Sequence, residues 1–367
     1  MLYEKYEKLQ AKAPHKMTQH EPQNEPSGEA SIDSGEAPVD SGKAPINKPP
    51  INKQEPKTIA HRGGANLWPE NTLEAFEEAI KLGVHGIEFD LQLSKDGHLM
   101  VHHDSHLKPV GTRLDGTYLT APTPRLDTLT AQQLQAYDVG RLAPDTPEAQ
   151  RRSQQSPRDG ARIPYLNQLE HLSADAAPKG FQLYAELKTD MTPAPAQAEA
   201  LADAYLAALD VSRVAAMHRV ISFDWRCLER VRARRPETNN AYTTLSFAST
   251  DPSHARAAQE DPKSKGAAIR AASRNGAPWW GAHDWRDQKG ETHGERVLRA
   301  IGAAGGQGWI AYWRDVTPDT MAIANELGLK VSAWTVNEAA DMKNLAAMGV
   351  EALITDRPDR ALALHSA

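Results

Sequence analysis

The sequence predicts an α/β fold, a (β/α)8 TIM barrel with two loop insertions and a disordered N-terminal tail. Three observations lead there. From Lys57 onward, short apolar strands alternate with amphipathic helical segments, which is the rhythm of a parallel α/β architecture. Candidate chemical groups fall at the C-terminal ends of many different strands, as in barrel sites, whereas an open doubly wound sheet gathers them at one crevice. The chain has 367 residues, enough for one barrel and an extra segment, although the same length fits two ordinary domains.

Residues 1–56 supply the extra segment. They are poor in aromatics, rich in Pro, Glu, Lys, Gln and Ser, and carry a degenerate repeat in SIDSGEAP, VDSGKAP, INKPP and INKQEP. Such a composition cannot bury enough surface to offset its ordering entropy, so it reads as a solvated tail with room for a short helix over 2–13. The domain proper is expected over 57–367. Strands are expected at 58–61, 86–91, 99–103, 182–186, 220–222, 309–312, 330–335 and 352–355, and helices at 72–82, 195–209, 224–234, 317–327 and 337–348. Residues 105–164, with several prolines and the polar run 151–158, and residues 246–296, rich in Ala, Ser and Gly, break the rhythm. Both read as insertions on the barrel, because neither shows the periodic apolar faces of an independent core.

Composition excludes several roles. A net charge of -6 gives no general attraction to nucleic acid or anionic lipid, so a phosphate-bearing small molecule must be drawn by a local cluster of cations. Hydrophobic content of 40% and charged content of 25% are ordinary for a globular protein, while a mean hydropathy of -0.60 reflects the polar tail. Cys227 is the single cysteine, and Trp225, Leu228 and Val231 beside it on a helix mark it as a buried structural thiol. No apolar run reaches membrane-spanning length and no apolar leader opens the sequence, so a cytoplasmic location is expected.

The segment IAHRGGANLWPENTLEAFEEAIKLGVHGIEFDLQLSKDGHLMVHHD carries most of the chemistry. His61 and Arg62 end the first strand before a Gly63-Gly64 turn, where backbone can approach a ligand closely. Glu88 and Asp90 lie two apart on a strand and therefore point to one side, with Ile87, Phe89 and Leu91 on the other. Two like charges held so close repel unless a hard divalent cation lies between them. His103 ends the third expected strand as His61 ends the first, a pairing suited to acid-base work. His102 points to the opposite face, and His98 and His106 are ordinary residues. Further on, YAELK sets Glu186 and Lys188 on one face. Glu186 could complete a three-oxygen metal site, and Lys188 with Arg62 could hold a phosphate. Taken alone, the pair reads as a structural ion pair. Trp334 could wall the site, and Asp356 reads as a structural residue at the barrel closure.

The combination of HRG, PENTLEAF, EFD, SKDGHLMVHHD, ELK, AWTVN and ITDRP resembles the glycerophosphodiester phosphodiesterase family from about Lys57 to the C-terminus, interrupted by the two insertions. The resemblance implies a TIM-barrel hydrolase that cuts a small-molecule glycerophosphodiester into glycerol 3-phosphate and an alcohol. It implies that Glu88, Asp90 and Glu186 ligate one divalent cation, Mg2+ or Ca2+, and that His61 and His103 form the catalytic pair, with His61 on the base side and His103 on the acid side. Arg62 and Lys188 would sit on the phosphate and Trp334 on the glycerol, while Glu70 and Asn71 brace the first βα loop. Alternatives are a lysophospholipase D or sphingomyelinase-D-like enzyme on the same barrel, against which the PENT segment argues, and a binder of phosphate compounds without turnover, which has no need of a paired acid and base. Trp279, Trp280, His283 and Asp284, before the sixth expected strand, have no counterpart in the simplest members and are candidates to line an added pocket.

Overall fold

A computed structural model of the chain describes residues 55–253 and 264–364. The tail expected over 1–56 lies almost wholly outside the described residues. Eight parallel strands close on one another: β1 (Lys57–His61), β2 (Gly86–Leu93), β3 (Gln182–Leu187), β4 (His218–Ser222), β5 (Asn239–Thr243), β6 (Gly308–Tyr312), β7 (Lys330–Trp334) and β8 (Ala352–Thr355). β1 pairs with both β2 and β8, which leaves no free edge and makes the (β/α)8 barrel that the sequence predicts.

Seven of the eight expected strands are staves of the barrel. The exception is the segment expected at 99–103, which forms a short strand, Leu99–Val101, paired antiparallel to the end of β2 with Leu91 opposite Val101. Five residues separate the two strands. That is enough for a hairpin, whereas a parallel partner needs a crossover of a dozen or more. The stave left unassigned is β5, sequence NNAYT. Its asparagines hid it, because they read as turn residues. In the fold Asn240 is buried and exchanges two hydrogen bonds with Gln307, its N–H donating to Gln307 Oε1 at 3.0 Å and its Oδ1 accepting from the Gln307 N–H at 3.1 Å.

The expected helices appear as α1 (Leu73–Leu82), α3 (Ala196–Val211), α4 (Trp225–Arg234), α7 (Pro318–Glu326) and α8 (Ala339–Met348), joined by α2 (Leu166–Ala176), α5 (Lys265–Arg274), α6 (His293–Ala303) and α9 (Pro358–Ala363). α1 shows why the boundaries were legible. Thr72 Oγ1 accepts from the Ala75 N–H at 3.2 Å, and Gly83 ends the helix in the left-handed region. Between β strands and helices lies the main core, where Ile87, Phe89 and Leu91 are fully buried and Phe89 meets Phe76 edge-on at 6.3 Å. Cys227 is buried there too, its thiol pushed up by burial.

The two insertions occupy the β2–β3 and β5–β6 connections. The first is better built than its sequence suggests, because Leu107, Leu126, Ala131, Leu134 and Ile163 gather with Met100 into a small core of their own. Those residues come from turns and short helical pieces, so no periodic pattern announces them. Among the described residues no helix is long and apolar enough to cross a membrane.

Candidate active site

The register of β1, β2 and β3 assembles the carboxylates. His61 is level with Glu88, and Asp90 is level with Glu186. Neighbouring strands stand about 4.8 Å apart, and level residues point to the same side. One ligand oxygen from each of Glu88, Asp90 and Glu186 therefore lies within 4.8 Å of the others, all three side chains being buried. The alternation of β2 puts Ile87, Phe89 and Leu91 toward the helices, so these acids face the barrel interior at its C-terminal mouth.

This cluster is electrostatically strained. Burial, reinforced by Asp90 and Glu186, pushes the Glu88 carboxyl well above the usual carboxylate range. Burial also raises Glu186, against the pull of Lys188. Asp90 moves the other way: burial would raise it, but Arg62, Lys188 and the Asn71 amide together hold it down. Its Oδ2 accepts from Asn71 Nδ2 at 2.8 Å, while its Oδ1 is buried with no hydrogen-bond donor. The three acids thus form a candidate divalent-cation site, with hard oxygen donors and one idle lone-pair set.

Two cations face the acids. Lys188 Nζ lies 2.9 Å from Glu186 Oε1 and 3.6 Å from Asp90 Oδ1. Arg62 Nε lies 3.3 Å from Asp90 Oδ2, and the Arg62 N–H donates to Glu88 Oε2 at 3.1 Å. Arg62 takes a positive φ of 52°, and the turn continues through Gly63 at 86°, where a Cβ would come within 2.9 Å of Ala75 Cβ. Glycine is what lets the β1–α1 loop bend this sharply over the helix.

Each histidine is fixed by an aspartate. His61 Nδ1 donates to Asp356 Oδ1 at 2.6 Å, leaving Nε2 toward Glu88 Oε2 at 3.8 Å. His103 Nδ1 donates to Asp104 Oδ1 at 2.7 Å. Burial, with Arg62 and Lys188 nearby, pushes His103 down to about 3, so it is neutral and its Nε2 has a free lone pair. His103 stands on the loop after the Leu99–Val101 hairpin rather than at the end of a stave, which corrects the expectation that both histidines cap neighbouring barrel strands. The hairpin carries it back to the mouth all the same. Gln92 Nε2 holds that loop, lying 2.9, 2.9 and 3.0 Å from the carbonyl oxygens of His102, His103 and Asp104.

Trp334 ends β7, level with Tyr312, its Nε1 donating to Ile310 O at 3.1 Å. Phe223, after β4, meets it edge-on at 5.4 Å, and Lys188 Nζ sits 5.7 Å from the same Phe223 ring. All eight residues singled out from sequence for metal, proton transfer, phosphate and glycerol therefore converge on the mouth.

Sequence reasoning assigned Asp356 to barrel closure, yet its side chain holds His61. Asn337 Nδ2 donates to Asp356 Oδ2 at 3.0 Å and completes that contact. Asp104 and Gln92 were passed over. The Glu88-Asp90-Gln92 alternation, which puts Gln92 on the carboxylate face, was the available signal for the latter. Glu70 and Asn71 do brace the first loop: the Asn71 N–H donates to Arg62 O at 3.0 Å, and Glu70 pairs with Arg62, Lys108 and Arg152. His102 is buried. Of the four residues considered for an added pocket, Trp279 and Trp280 line a cavity with Phe223, Thr243 and Phe247, and its volume is about 10 Å3. That holds roughly one water molecule. His283 pairs instead with Glu229 and Asp284 with Arg286.

The model of the Glycerophosphoryl diester phosphodiesterase family matches residues 61–360. A solved structure of a candidate glycerophosphoryl diester phosphodiesterase from Silicibacter pomeroyi is similar with a TM-score of 0.70 at 30% identity, covering 84% of this chain and 92% of that one. An Oleispira antarctica phosphodiesterase, solved in complex with the product sn-glycerol-3-phosphate, shares the fold with a TM-score of 0.59 at 19% identity, covering 85% and 98%. A curated glycerophosphodiester phosphodiesterase of Caldanaerobacter subterraneus is 61% identical over 46 residues, which is 12% of this chain and 19% of that protein. The first curated relatives are thus aligned over only 19% and 21% of their own length.

Proposed function

The chain belongs to the glycerophosphoryl diester phosphodiesterase family, and from that premise we propose that it hydrolyses glycerophosphodiesters to glycerol 3-phosphate and an alcohol with one divalent cation, Mg2+ or Ca2+. One observation carries the reading. Two histidines, each pinned through Nδ1 by an aspartate, share a buried barrel mouth with three carboxylates and two cations.

Glu88, Asp90 and Glu186 would hold the cation. The fit is chemical: two carboxyls are raised by burial, mutual repulsion adds to Glu88, and the buried Asp90 Oδ1 has no donor. A bound hard cation relieves all three features, and oxygen ligands suit Mg2+ and Ca2+ alike. When bound, the cation supplies charge neutralisation at the phosphoryl oxygens.

A phosphodiester anion resists attack because its charge repels the nucleophile and its alkoxide leaves poorly. Arg62 and Lys188 answer the first difficulty by holding the phosphoryl oxygens as charge grows on them. The histidines answer the second by moving protons. In the neutral ring the Asp356 contact keeps the His61 proton on Nδ1, so that Nε2 takes the proton from the attacking hydroxyl, whether that of water or of the neighbouring glycerol carbon. As the phosphorus–oxygen bond to the alcohol breaks, the departing oxygen takes a proton from His103. His103 is neutral before substrate arrives, held so partly by Arg62 and Lys188. The substrate's negative charge offsets their field, so that His103 Nε2 takes up a proton from solvent as the substrate binds, and that is the proton it gives to the leaving oxygen. Trp334 bounds the glycerol side.

The test is release of glycerol 3-phosphate from glycerophosphocholine and glycerophosphoethanolamine, with and without EDTA. Release that chelation abolishes and added Mg2+ or Ca2+ restores is the expected result. A folded, metal-supplied protein that releases nothing from either substrate refutes the proposal.

A further inference from the structure

The first insertion does more than decorate the barrel. Its segment 152–156 is stitched to the loop after β1: Gln155 Nε2 donates to Ala65 O at 2.7 Å, and the Ser156 N–H donates to Leu67 O at 2.7 Å. It also reaches the turn after β8, where Arg357 Nη1 donates to Gln154 Oε1 at 2.5 Å. The stitching delivers one buried cation, Arg152, to the back of the site. Arg152 Nη1 donates to Glu70 Oε2 at 2.7 Å, the same oxygen that accepts from Arg62 Nη1 at the longer distance of 3.3 Å. Lys108, from the same insertion, donates to the other oxygen, Glu70 Oε1, at 2.6 Å.

Glu70 is therefore a carboxylate ringed by three cations, two of which come from the insertion. Burial would raise it, but Lys108, Arg152 and Arg62 keep it ionised. The two insertion cations hold it most closely, at 2.6 and 2.7 Å, while Arg62 reaches it only through Nη1 at 3.3 Å and keeps its buried Nε, which makes no hydrogen bond, 3.3 Å from Asp90 Oδ2. Were Arg152 absent, Glu70 Oε2 would have Arg62 as its nearest remaining guanidinium and would draw it back from the mouth.

We infer that Arg152 is a positioning residue: by saturating Glu70 it keeps Arg62 available to the phosphate group of substrate and product. This rests on the hydrolase reading above, since it presumes an anionic ligand at Arg62. Two measurements separate the ideas, glycerol 3-phosphate binding by titration calorimetry and steady-state turnover of glycerophosphocholine.

In Arg152→Met the Kd for glycerol 3-phosphate and the KM are expected to rise about tenfold, the loss of one moderate charge-assisted contact, with kcat changed by less than about threefold. Arg152→Lys restores most of the loss by keeping the charge. In an Arg62→Met background, adding Arg152→Met changes Kd by less than about twofold, because the contact through which it acts is gone. Unchanged Kd and KM in Arg152→Met, or an undiminished effect in the Arg62→Met background, overturns the inference. If Arg152→Met does not fold, Arg152→Lys and Arg152→Gln carry the same comparison. An inactive wild type would sink the hydrolase reading, and the binding arm would still decide on Arg152.

Discussion

Replacing Asp356 by Asn tests whether that residue serves His61 or merely closes the barrel. The carboxylate accepts from His61 Nδ1 at 2.6 Å through Oδ1 and from Asn337 Nδ2 at 3.0 Å through Oδ2. An asparagine that keeps its oxygen toward Asn337 must present its NH2 group to His61 Nδ1. That nitrogen then becomes the acceptor, and the proton moves to Nε2, the position required to take a proton from the nucleophile. A base in the wrong tautomer forfeits its share of catalysis, roughly a hundredfold or more. The lost charge-assisted hydrogen bond, worth about 1.5–3 kcal/mol, points to the same range, since about 1.4 kcal/mol is a factor of ten. The assay is kcat on glycerophosphocholine with saturating metal, alongside a thermal melt. Asp356→Asn should melt within a few degrees of wild type and lose about two orders of magnitude in kcat. A variant that keeps a third or more of the wild-type kcat would refute the orienting role, and one that is chiefly unstable would return Asp356 to barrel closure.

Other expectations follow from the same geometry. His61→Ala and His103→Ala should each lower turnover by about a hundredfold or more on a folded protein, and normal activity in both would sink the paired acid-base assignment. Adding Mg2+ or Ca2+ to chelated protein should raise its melting temperature, since a cation at a hundredfold excess over its Kd stabilises by about 2.7 kcal/mol. Glu186→Gln should abolish most of that increment, and an equal rise in the variant would place the cation elsewhere. Asp315, buried after β6 with its Oδ2 accepting from the Phe247 N–H at 2.8 Å, is pushed up by burial to about 8 from an ordinary 3.8. Its folded value lies above its unfolded one, so its contribution is fully present below about pH 4 and is lost as pH rises through about 8. Asp315→Asn should therefore gain on wild type in melting temperature between pH 5 and pH 8.5, and a pH-independent difference would contradict a buried neutral acid.

Seven of the eight barrel strands could be read from the chain because their apolar residues sit between helix caps and turns that obey local rules, as Thr72 and Gly83 do around α1. The segment 99–103 does form a strand over Leu99–Val101, but its five-residue connection to β2 makes it a hairpin partner and not a stave. β5 was illegible because its two asparagines look like turn residues until Gln307 arrives from elsewhere in the chain to pair with Asn240.

By itself, the sequence determined which side chains could carry chemistry. The two-residue spacing of Glu88 and Asp90, and that of Glu186 and Lys188, fixes each pair to one face of a strand by backbone geometry alone. The tertiary structure decided everything that depends on contacts between distant segments. Register across β1, β2 and β3 brings Glu186 beside Asp90. Barrel closure sets Asp356, 295 positions away in sequence, against His61. The folding back of the first insertion sets Arg152 against Glu70, 82 positions earlier. No local rule encodes such pairs, because their energy appears only when the barrel closes and removes both partners from water together.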